Sequence, residues 1–345
     1  MKRVLITGIT GQDGAYLAKR LLDADYEVFG AVRRGSTPKT GRLRQLDILD
    51  DVKLLPIEIT EFSNVFRTLK SLKPAFIYNL AAQSFVQDSF LHPLLTSQIN
   101  YLGVLNLLES INLIGLDCQF YQASTSEMYG DALSDPQSED TPFNPMSPYA
   151  VAKCAGHHLV INYRVAYGLK ASNGILFNHE SELRGREFVT RKISHHIAAL
   201  ATGRVDPVEL GNVDSIRDWG YAPDFVEAMQ LINEHDIAGD YVVATNRVQT
   251  VRDFVEYCAR TAGFDPAFEG EGLDVKCMDR KSGRVLTQVN EAYFRPSDVT
   301  YLRGDYSKVN DVLGWQPTID VEHMAERMTE FDLGILRGDV KDYGV

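Results

Sequence analysis

A tyrosine and a lysine lie four residues apart in the segment at residues 147–153, which reads SPYAVAK. Serine is a favoured helix cap and proline a favoured first helical residue, so Ser147 and Pro148 predict a helix start. Side chains four positions apart share one face of a helix, which puts the Lys153 ammonium beside the Tyr149 phenol. A nearby positive charge lowers the pKa of a phenol, so Tyr149 is a candidate general base. The alternative is a chance pair of side chains on a helix.

A threonine and a glutamate follow the predicted strand at residues 119–124. Ligands of open α/β folds bind at the carboxyl ends of the strands, so Thr125 is placed to hydrogen-bond a substrate hydroxyl. Hydride transfer alone has no need of the Glu127 carboxylate. A carboxylate there is suited to remove a carbon-bound proton beside a new ketone and then protonate a departing hydroxyl, which is an elimination. The alternative is that Glu127 caps the next turn or pairs with a surface arginine.

Glycines recur in the segment at residues 8–14, which reads GITGQDG and lies between a predicted strand and a predicted helix. Backbone amides and the helix dipole of such a loop can hold a pyrophosphate, whereas a tight turn without a ligand is the alternative. Many such folds have an acidic residue after the second strand, which binds a ribose 2′-hydroxyl. Here Arg33 and Arg34 follow that strand and suit a 2′-phosphate, which favours NADP over NAD. Two arginines that only solvate a loop are the alternative.

These segments require strands that end at a common edge. Short β-branched runs alternate with helical patterns from Arg3 to Phe177, with six predicted strands. The alternation predicts an α/β fold, a Rossmann-like doubly wound parallel sheet. After Asn178 the pattern loosens, the chain returns with a predicted strand at residues 241–244, and the sequence is loop-rich from about residue 247. We therefore expect residues 1–178 and 214–246 to bind NADP, and residues 179–213 and 247–345 to form a smaller, discontinuous C-terminal substrate lobe.

Composition excludes several classes of protein. The chain has 345 residues, 44% hydrophobic and 24% charged, which is ordinary for a globular protein of about two domains. Its net charge of −12 and a pI near 5.2 argue against binding to a nucleic-acid backbone. A signal-peptide core and an apolar run of membrane-spanning length are not found, so we expect a cytoplasmic protein. The four cysteines form no CxxC, so we expect neither disulfides nor a metal site.

Several segments together resemble the GDP-mannose 4,6-dehydratase family of extended short-chain dehydrogenases/reductases. The phosphate loop and the YxxxK pattern occur throughout the extended short-chain group. More specific to the family are ASTSE at 123–127, NHES at 178–181, VTRK at 189–192 and RDWG at 217–220. The likeness runs from Lys2 to about Leu333.

The resemblance implies a reaction on a GDP-sugar with tightly held NADP and no net redox change. Tyr149, helped by Lys153, would deprotonate the hexose 4-hydroxyl while hydride goes from C4 to the nicotinamide. Glu127, with Thr125 positioning the sugar, would remove the C5 proton and assist loss of the 6-hydroxyl as water. Hydride would then return to C6. The implied product is GDP-4-keto-6-deoxymannose, a precursor of 6-deoxyhexoses such as fucose and rhamnose.

The resemblance also implies the binding contacts and a homodimer or homotetramer. The residues implied to line the cofactor are Gly8, Thr10, Gly11, Gln12, Asp13, Gly14, Arg33, Glu58, Ile59, Leu80, Ala82, Ser84, Lys153, His179 and Arg184. Those implied to hold the GDP-sugar are Ser84, Thr125, Asn178, Lys192, Arg217 and Arg295. The loop at residues 33–40 is implied to contact the cofactor of a neighbouring subunit.

Two positions depart from the family pattern. Glu58 stands where the family has an aspartate that reaches an adenine edge. The segment NPM at residues 144–146 replaces an aromatic residue, a proline and an arginine, which leaves another GDP-sugar, such as a GDP-heptose, open as the substrate.

Two other functions stay open. One is a net oxidoreductase or epimerase of a nucleotide sugar, from which Glu127 distinguishes a dehydratase. The other is an NADP-sensing regulator without catalysis, which has no chemical need of Thr125, Glu127, Tyr149 and Lys153 together.

Overall fold

The computed structural model of the chain describes residues 1–33, 35, 39–131, 134–203, 206–293 and 301–345. Within them the strands are β1 (Arg3–Thr7), β2 (Glu27–Val32), β3 (Lys53–Pro56), β4 (Phe76–Asn79), β5 (Gln119–Thr125), β6 (Lys170–Leu176), β7 (Asn178–Glu180), β8 (Val208–Leu210), β9 (Ile216–Arg217), β10 (Trp219–Tyr221), β11 (Asp240–Val243), β12 (Gln249–Thr250), β13 (Pro266–Glu269), β14 (Lys276–Asp279) and β15 (Val285–Val289). The α-helices are α1 (Gln12–Asp23), α2 (Gly41–Gln45), α3 (Phe62–Leu72), α4 (Val86–Leu91), α5 (Pro93–Ser97), α6 (Gly103–Ile114), α7 (Pro148–Tyr167), α8 (Val189–Ala201), α9 (Ala222–Glu234), α10 (Val251–Thr261), α11 (Ser307–Leu313) and α12 (Val321–Arg337).

A parallel sheet of seven strands forms the centre, in the order β11-β6-β5-β4-β1-β2-β3. The order reverses direction at β1, which makes the sheet doubly wound and confirms the predicted fold class. The six strands predicted before residue 178 are all present, and the strand predicted at residues 241–244 returns as β11 to pair with β6.

Apolar residues on both faces explain why this sheet is buried. In β1, Val4 and Ile6 pack into a cluster with α1 and α9, whereas Leu5 points into a second cluster with α3 and α6. All three side chains are fully buried. Successive strand residues point to opposite faces, so a continuous apolar run suits a sheet covered by helices on both sides.

A separate core lies beyond the sheet, built by α8, α10 and α12 against the four-stranded sheet β13-β14-β15-β8. Residues 269–290 lie in the part of the chain that is predicted to be loop-rich from about residue 247, but they contain β14 and β15. Cys277 and Leu286 are fully buried, but the two strands also contain the polar residues Lys276, Asp279, Thr287 and Gln288, of which Asp279 and Thr287 are buried as well. The polar residues made this antiparallel pair difficult to recognise from the sequence.

Among the described residues, no helix combines the length and apolarity needed to cross a membrane. The four cysteines are free thiols. The described part of the chain also has no group of three or more His, Cys, Asp or Glu side chains placed to hold a metal ion.

Candidate active site

Polar side chains connect the carboxyl ends of β1, β4 and β5. Thr7 Oγ1 donates to Asn79 Oδ1 at 2.6 Å, and Asn79 Nδ2 donates to Gln122 Oε1 at 2.8 Å. The Leu80 and Ala81 amides both donate to Thr7 Oγ1 at 3.1 Å. Sequence reasoning missed this row of bonds, although a polar residue at the end of an otherwise apolar strand was its signal. These hydrogen bonds hold β1, β4 and β5 together at the edge of the sheet where the candidate residues lie.

The loop at residues 8–14 has the backbone that a phosphate-binding turn requires. Gly8 has a φ of +71°, a left-handed conformation that favours glycine, and its carbonyl accepts the Gly11 amide at 2.9 Å. A Cβ on Gly14 would lie 2.4 Å from the Gly8 oxygen, so only glycine fits at the start of α1. Gly11 is the N-cap and has no side chain to cover the first amides of the helix. Such a cradle fits the pyrophosphate of a dinucleotide.

Gln12, Asp13 and His179 form one buried network beside this loop. His179 Nδ1 lies 2.7 Å from the Phe177 oxygen and its Nε2 lies 3.0 Å from Asp13 Oδ2, so both ring nitrogens face acceptors. Burial opposes both charges, but the attraction of Asp13 raises the pKa of His179, and His179 lowers the pKa of Asp13 to about 2. Gln12 Nε2 donates to the His179 oxygen at 3.1 Å. The network joins α1 to the segment that follows β6.

The four candidate catalytic residues come together at the end of β5. Thr125 ends the strand, and its Oγ1 accepts the Glu127 amide at 3.3 Å in the 3-10 turn Ser126–Met128. The Thr125 hydroxyl also hydrogen-bonds Tyr149. Lys153 Nζ lies 5.9 Å from the centre of the Tyr149 ring and donates to the Ala123 oxygen at 2.6 Å.

The start of α7 explains how Tyr149 and Lys153 are placed. Ser147 Oγ accepts the Ala150 amide at 3.1 Å and Pro148 is the first helical residue, which confirms the predicted helix start. Tyr149 and Lys153 are both buried on the face that meets β5.

Burial disfavours the charged forms of both Tyr149 and Lys153, that is, the phenolate and the ammonium. Burial and the Glu127 charge raise the pKa of Tyr149, although the Thr125 hydrogen bond and Arg184 act in the opposite direction. Burial lowers the pKa of Lys153 to about 8. A positive charge brought next to the phenol would favour its ionised form. The site therefore suits a cationic cofactor ring as the partner that completes it.

The remaining predicted cofactor residues lie around the same edge. Leu80 and Ala82 are half-buried, whereas Ser84 and Arg33 are exposed. Ile59 is buried against Gly103, and the Glu58 carboxylate accepts the Thr60 hydroxyl at 3.0 Å.

Arg184 and Arg42 enclose the phosphate loop from the side of β7. Arg184 Nε pairs with Glu180 at 3.1 Å, and its guanidinium lies 3.6 Å over the Phe188 ring. Arg42 Nε donates to the Leu183 oxygen at 2.6 Å, and its Nη1 donates to the Thr10 oxygen at 3.1 Å. No local pattern marks Arg42, because its partners lie far away in the sequence.

The predicted GDP-sugar residues lie further from the sheet. Asn178 begins β7 and is half-buried. Lys192 Nζ donates to the Glu209 oxygen at 2.6 Å and lies 3.7 Å over the Tyr293 ring. Arg217 is buried in β9, which pairs with β12. Arg295 and Arg34 fall outside the described residues.

Comparisons with known proteins agree over nearly the whole chain. A family model described as GDP-mannose 4,6 dehydratase matches residues 5–328. The chain is 45% identical over 344 residues to a GDP-mannose 4,6-dehydratase of Sinorhizobium fredii, covering 98% of each protein. It is 42% identical over 341 residues to the human GDP-mannose 4,6 dehydratase, covering 96% of the chain and 92% of that protein.

Solved structures share the architecture. A Thermus thermophilus UDP-glucose 4-epimerase in complex with NAD superposes with a TM-score of 0.81 at 25% identity, covering 96% of this chain and 99% of that one. A Bacillus anthracis dTDP-glucose 4,6-dehydratase in complex with NAD has a TM-score of 0.78 at 18% identity, covering 96% of each chain. The second likeness shows the fold alone.

Proposed function

The chain belongs to the GDP-mannose 4,6-dehydratase family, and from that premise we propose that it converts GDP-mannose into GDP-4-keto-6-deoxymannose and water. The observation that carries the proposal is that the Glu127 carboxylate lies close enough to the Tyr149 hydroxyl to raise its pKa, while the Glu127 backbone amide donates to Thr125 Oγ1. A site for hydride transfer alone has no use for that carboxylate, whereas an elimination requires a group that moves a proton from carbon to oxygen.

Each residue has one task in the proposed reaction. Tyr149 takes the proton of the sugar 4-hydroxyl, and the Lys153 ammonium stabilises the resulting phenolate. A nicotinamide ring bound beside Tyr149 would supply the hydride acceptor for C4 and, once reduced, the hydride donor for C6. Glu127 removes the C5 proton, made acidic by the C4 ketone, and gives a proton to the departing 6-hydroxyl, which leaves as water. Thr125 holds the sugar by a hydrogen bond.

The cofactor is a nicotinamide dinucleotide, and we propose that it is NADP. Arg33 follows β2 directly and is exposed, at the place where an acidic residue would bind the ribose of NAD. A guanidinium binds phosphate oxygens in pairs, so it suits the 2′-phosphate. The loop at residues 8–14, Lys153, His179 and Arg184 would hold the rest of the molecule.

We propose that the second core belongs to the part of the chain that binds the GDP-sugar, through Asn178, Lys192, Arg217 and Arg295. Its separate hydrophobic cluster supports a division in which residues 1–178 and 214–246 bind the cofactor, and residues 179–213 and 247–345 form the sugar-binding lobe. We also propose a cytoplasmic location, which the four free thiols support because thiols are typical of a reducing compartment.

The test follows GDP-mannose labelled with deuterium at C4. Loss of one water, with deuterium at C6 and no accumulation of NADPH, is the expected result. Glu127→Gln should reduce water loss about a hundredfold or more, because the amide cannot move the proton. Steady accumulation of NADPH by the wild-type protein would instead mean a net dehydrogenase. Full water loss by Glu127→Gln would refute the assigned role of the carboxylate.

A second substrate is favoured by one observation. Met146 is 41% exposed and its side chain packs against Gly130 just beyond Glu127, at a position where the family has an arginine. Parallel assays with GDP-mannose and a GDP-heptose decide between the sugars. Preferential dehydration of the heptose would keep the mechanism and change the substrate.

A further inference from the structure

Asp218 lies next to Arg217 and is almost fully buried, at 1% exposure. Its carboxylate accepts hydrogen bonds from two other segments of the chain. Oδ1 accepts the Thr245 amide at 2.9 Å and the Thr245 hydroxyl at 2.6 Å. Oδ2 accepts the Asn246 amide at 2.9 Å and the Gly304 amide at 3.1 Å. One carboxylate thus accepts four hydrogen bonds, three of them from the buried residues Thr245 and Gly304.

The two segments matter because of what they adjoin. Thr245 and Asn246 follow β11, the edge strand of the central sheet. Asn246 has a φ of +56°, an uncommon conformation that its bond to the carboxylate helps to hold. Asp218 therefore ties the sheet edge to the strand that carries Arg217.

Residues 301–305 are held from both sides. On one side, the Gly304 amide donates to Asp218. On the other side, the Arg303 backbone amide donates to Gln137 Oε1 at 2.9 Å, and the Gln137 backbone amide donates to the Arg303 oxygen at 2.8 Å. Gln137 is 1% exposed and belongs to the loop between Glu127 and Tyr149. Tyr301 also pairs with Ile216, the residue before Arg217. The segment 301–305 thus connects the loop between Glu127 and Tyr149 to β9.

We propose that Asp218 is a positioning residue for the nucleotide end of the GDP-sugar. Its carboxylate fixes β9, and with it Arg217, against the sheet edge and against residues 301–305. The proposal rests on the proposed function, because it takes the bound nucleotide to be GDP. The cofactor loop lies elsewhere, on β1 and α1, so loosening this junction should weaken binding of the GDP-sugar and leave NADP binding unchanged.

Asp218→Asn tests the carboxylate with little change in size. In either orientation, the amide nitrogen of the new side chain faces at least one backbone N–H that the carboxylate accepted. That donor loses its partner, and the junction loosens. Hydrogen bonds to a charged group are worth enough to change a binding constant about tenfold.

Asp224 offers a matched control. It is also a buried aspartate, in the first turn of α9, and it accepts the Thr318 amide at 2.8 Å, the Thr318 hydroxyl at 2.7 Å and the Ile319 amide at 3.1 Å. These bonds join α9 to the segment before α12, and they involve neither β9 nor the segments at residues 245–246 and 301–305. Asp224→Asn should therefore lower the melting temperature without raising the KM for the GDP-sugar.

The experiment uses the NADP-loaded protein and measures KM and kcat with GDP-mannose, the Kd of GDP by calorimetry, the Kd of NADP and the melting temperature. For Asp218→Asn we expect KM and the GDP Kd to rise about tenfold or more, with kcat within about threefold and NADP affinity unchanged. An equal rise of KM in Asp224→Asn, or a parallel loss of NADP affinity in Asp218→Asn, would overturn the proposal.

A milder pair of variants covers the case in which Asp218→Asn does not fold. Thr245→Val removes the hydroxyl that donates to Asp218, together with its bonds to the Arg247 backbone, and leaves the three backbone donors to the carboxylate; Thr245→Ser restores the hydroxyl. We expect a smaller rise of the GDP Kd in the first and rescue in the second, whereas wild-type affinity in Thr245→Val would overturn the proposal. If the wild-type protein binds GDP but does not dehydrate GDP-mannose, the proposed function fails. The comparison of the GDP Kd between the wild-type protein and Asp218→Asn then still tests the role of Asp218. If the wild-type protein does not bind GDP, both proposals fail.

Discussion

The Tyr149 phenol lies where its ionised form needs a nearby positive charge. Burial and Glu127 raise the pKa of its phenol, so the site without a bound cation keeps the hydroxyl protonated. Lys153 Nζ lies 5.9 Å from the centre of the Tyr149 ring, and burial lowers the pKa of Lys153 itself to about 8. As the proposed general base, Tyr149 would therefore need the positive charge of a bound nicotinamide ring to favour its ionised form.

Tyr149→Phe should bind NADP as the wild-type protein does, because the change leaves the glycines of the loop at residues 8–14 and the His179–Asp13 pair in place. Oxidation at C4 should fall about a hundredfold or more, since the general base is missing. Single-turnover formation of the 4-keto sugar measures the loss. Tyr163→Phe is the control, because Tyr163 lies at the far end of α7 and donates to Glu109 at 2.7 Å. Normal turnover in Tyr149→Phe would contradict the assignment.

His157 should make stability depend on pH. It follows Lys153 by one helical turn, its Nδ1 lies 3.0 Å from Ser124 Oγ, and burial lowers its pKa to about 4. Between pH 4 and 6.5 the unfolded histidine binds a proton that the folded one refuses, so its contribution to stability is present above 6.5 and is lost on acidification. Urea unfolding at several pH values should show a shallower acid loss in His157→Gln, and an unchanged slope would reject the idea.

At the scale of elements, the first turn of α1 depends on a close approach between Gly14 and the Gly8 oxygen. Gly14→Ala should destabilise the fold by roughly 1–3 kcal/mol and weaken NADP binding, because a backbone atom must move. The melting temperature without NADP measures the loss of stability, and its rise on adding NADP measures binding. Gly334→Ala in α12 is the control, since the new Cβ would meet only the Val340 side chain, which can turn away. Equal losses in the two variants would count against the proposed cradle.

Helices α8 and α12 share a fully buried ion pair between Arg191 and Asp332. Arg191 Nη1 donates to Asp332 Oδ2 at 3.0 Å, and Ser194 Oγ donates to the same oxygen at 2.8 Å. Asp332→Asn leaves a buried guanidinium without its counter-charge and should cost about 3–5 kcal/mol. The double variant Arg191→Met/Asp332→Leu should recover most of that stability, since no charge stays buried. Urea unfolding measures both, and a double variant less stable than the single one would contradict this account.

The elements that sequence predicted well are those whose signals are local. Helix α7 was predicted to begin at Pro148 and does, because Ser147 and Pro148 specify a helix start themselves. The network of Asp218 and the tie made by Arg42 had no such signal. Their partners lie tens to more than a hundred residues away, so only the packed fold brings them together. The antiparallel pair in residues 276–289 was missed because half of its side chains are polar.

For the whole molecule, we propose a homodimer or homotetramer, supported by apolar side chains that α4 and α5 leave exposed. Leu91 is 74% and Leu94 is 80% exposed, with Phe90 and Leu95 partly exposed beside them. Clustered apolar surface of this kind typically marks an interface.

The double variant Leu91→Glu/Leu94→Glu should shift the protein to a smaller species in size-exclusion chromatography with light scattering, because charge would be buried at the contact. Leu113→Glu, at a residue near the end of α6 that is 59% exposed, is the control and should leave the mass unchanged. An unchanged mass in the double variant would exclude this surface as the interface.

Arg42 joins the loop at Thr10 to the segment at Leu183 and so encloses the phosphate cradle between two distant parts of the chain. We propose that a dinucleotide bound there leaves only when that bridge opens, which would make its exchange slow compared with turnover. Because the proposed reaction returns to the sugar the hydride that it removes, a dinucleotide that stays bound would act as a prosthetic group. The output of the enzyme would then follow the supply of its sugar nucleotide and remain indifferent to the ratio of oxidised to reduced nicotinamide in the surrounding pool.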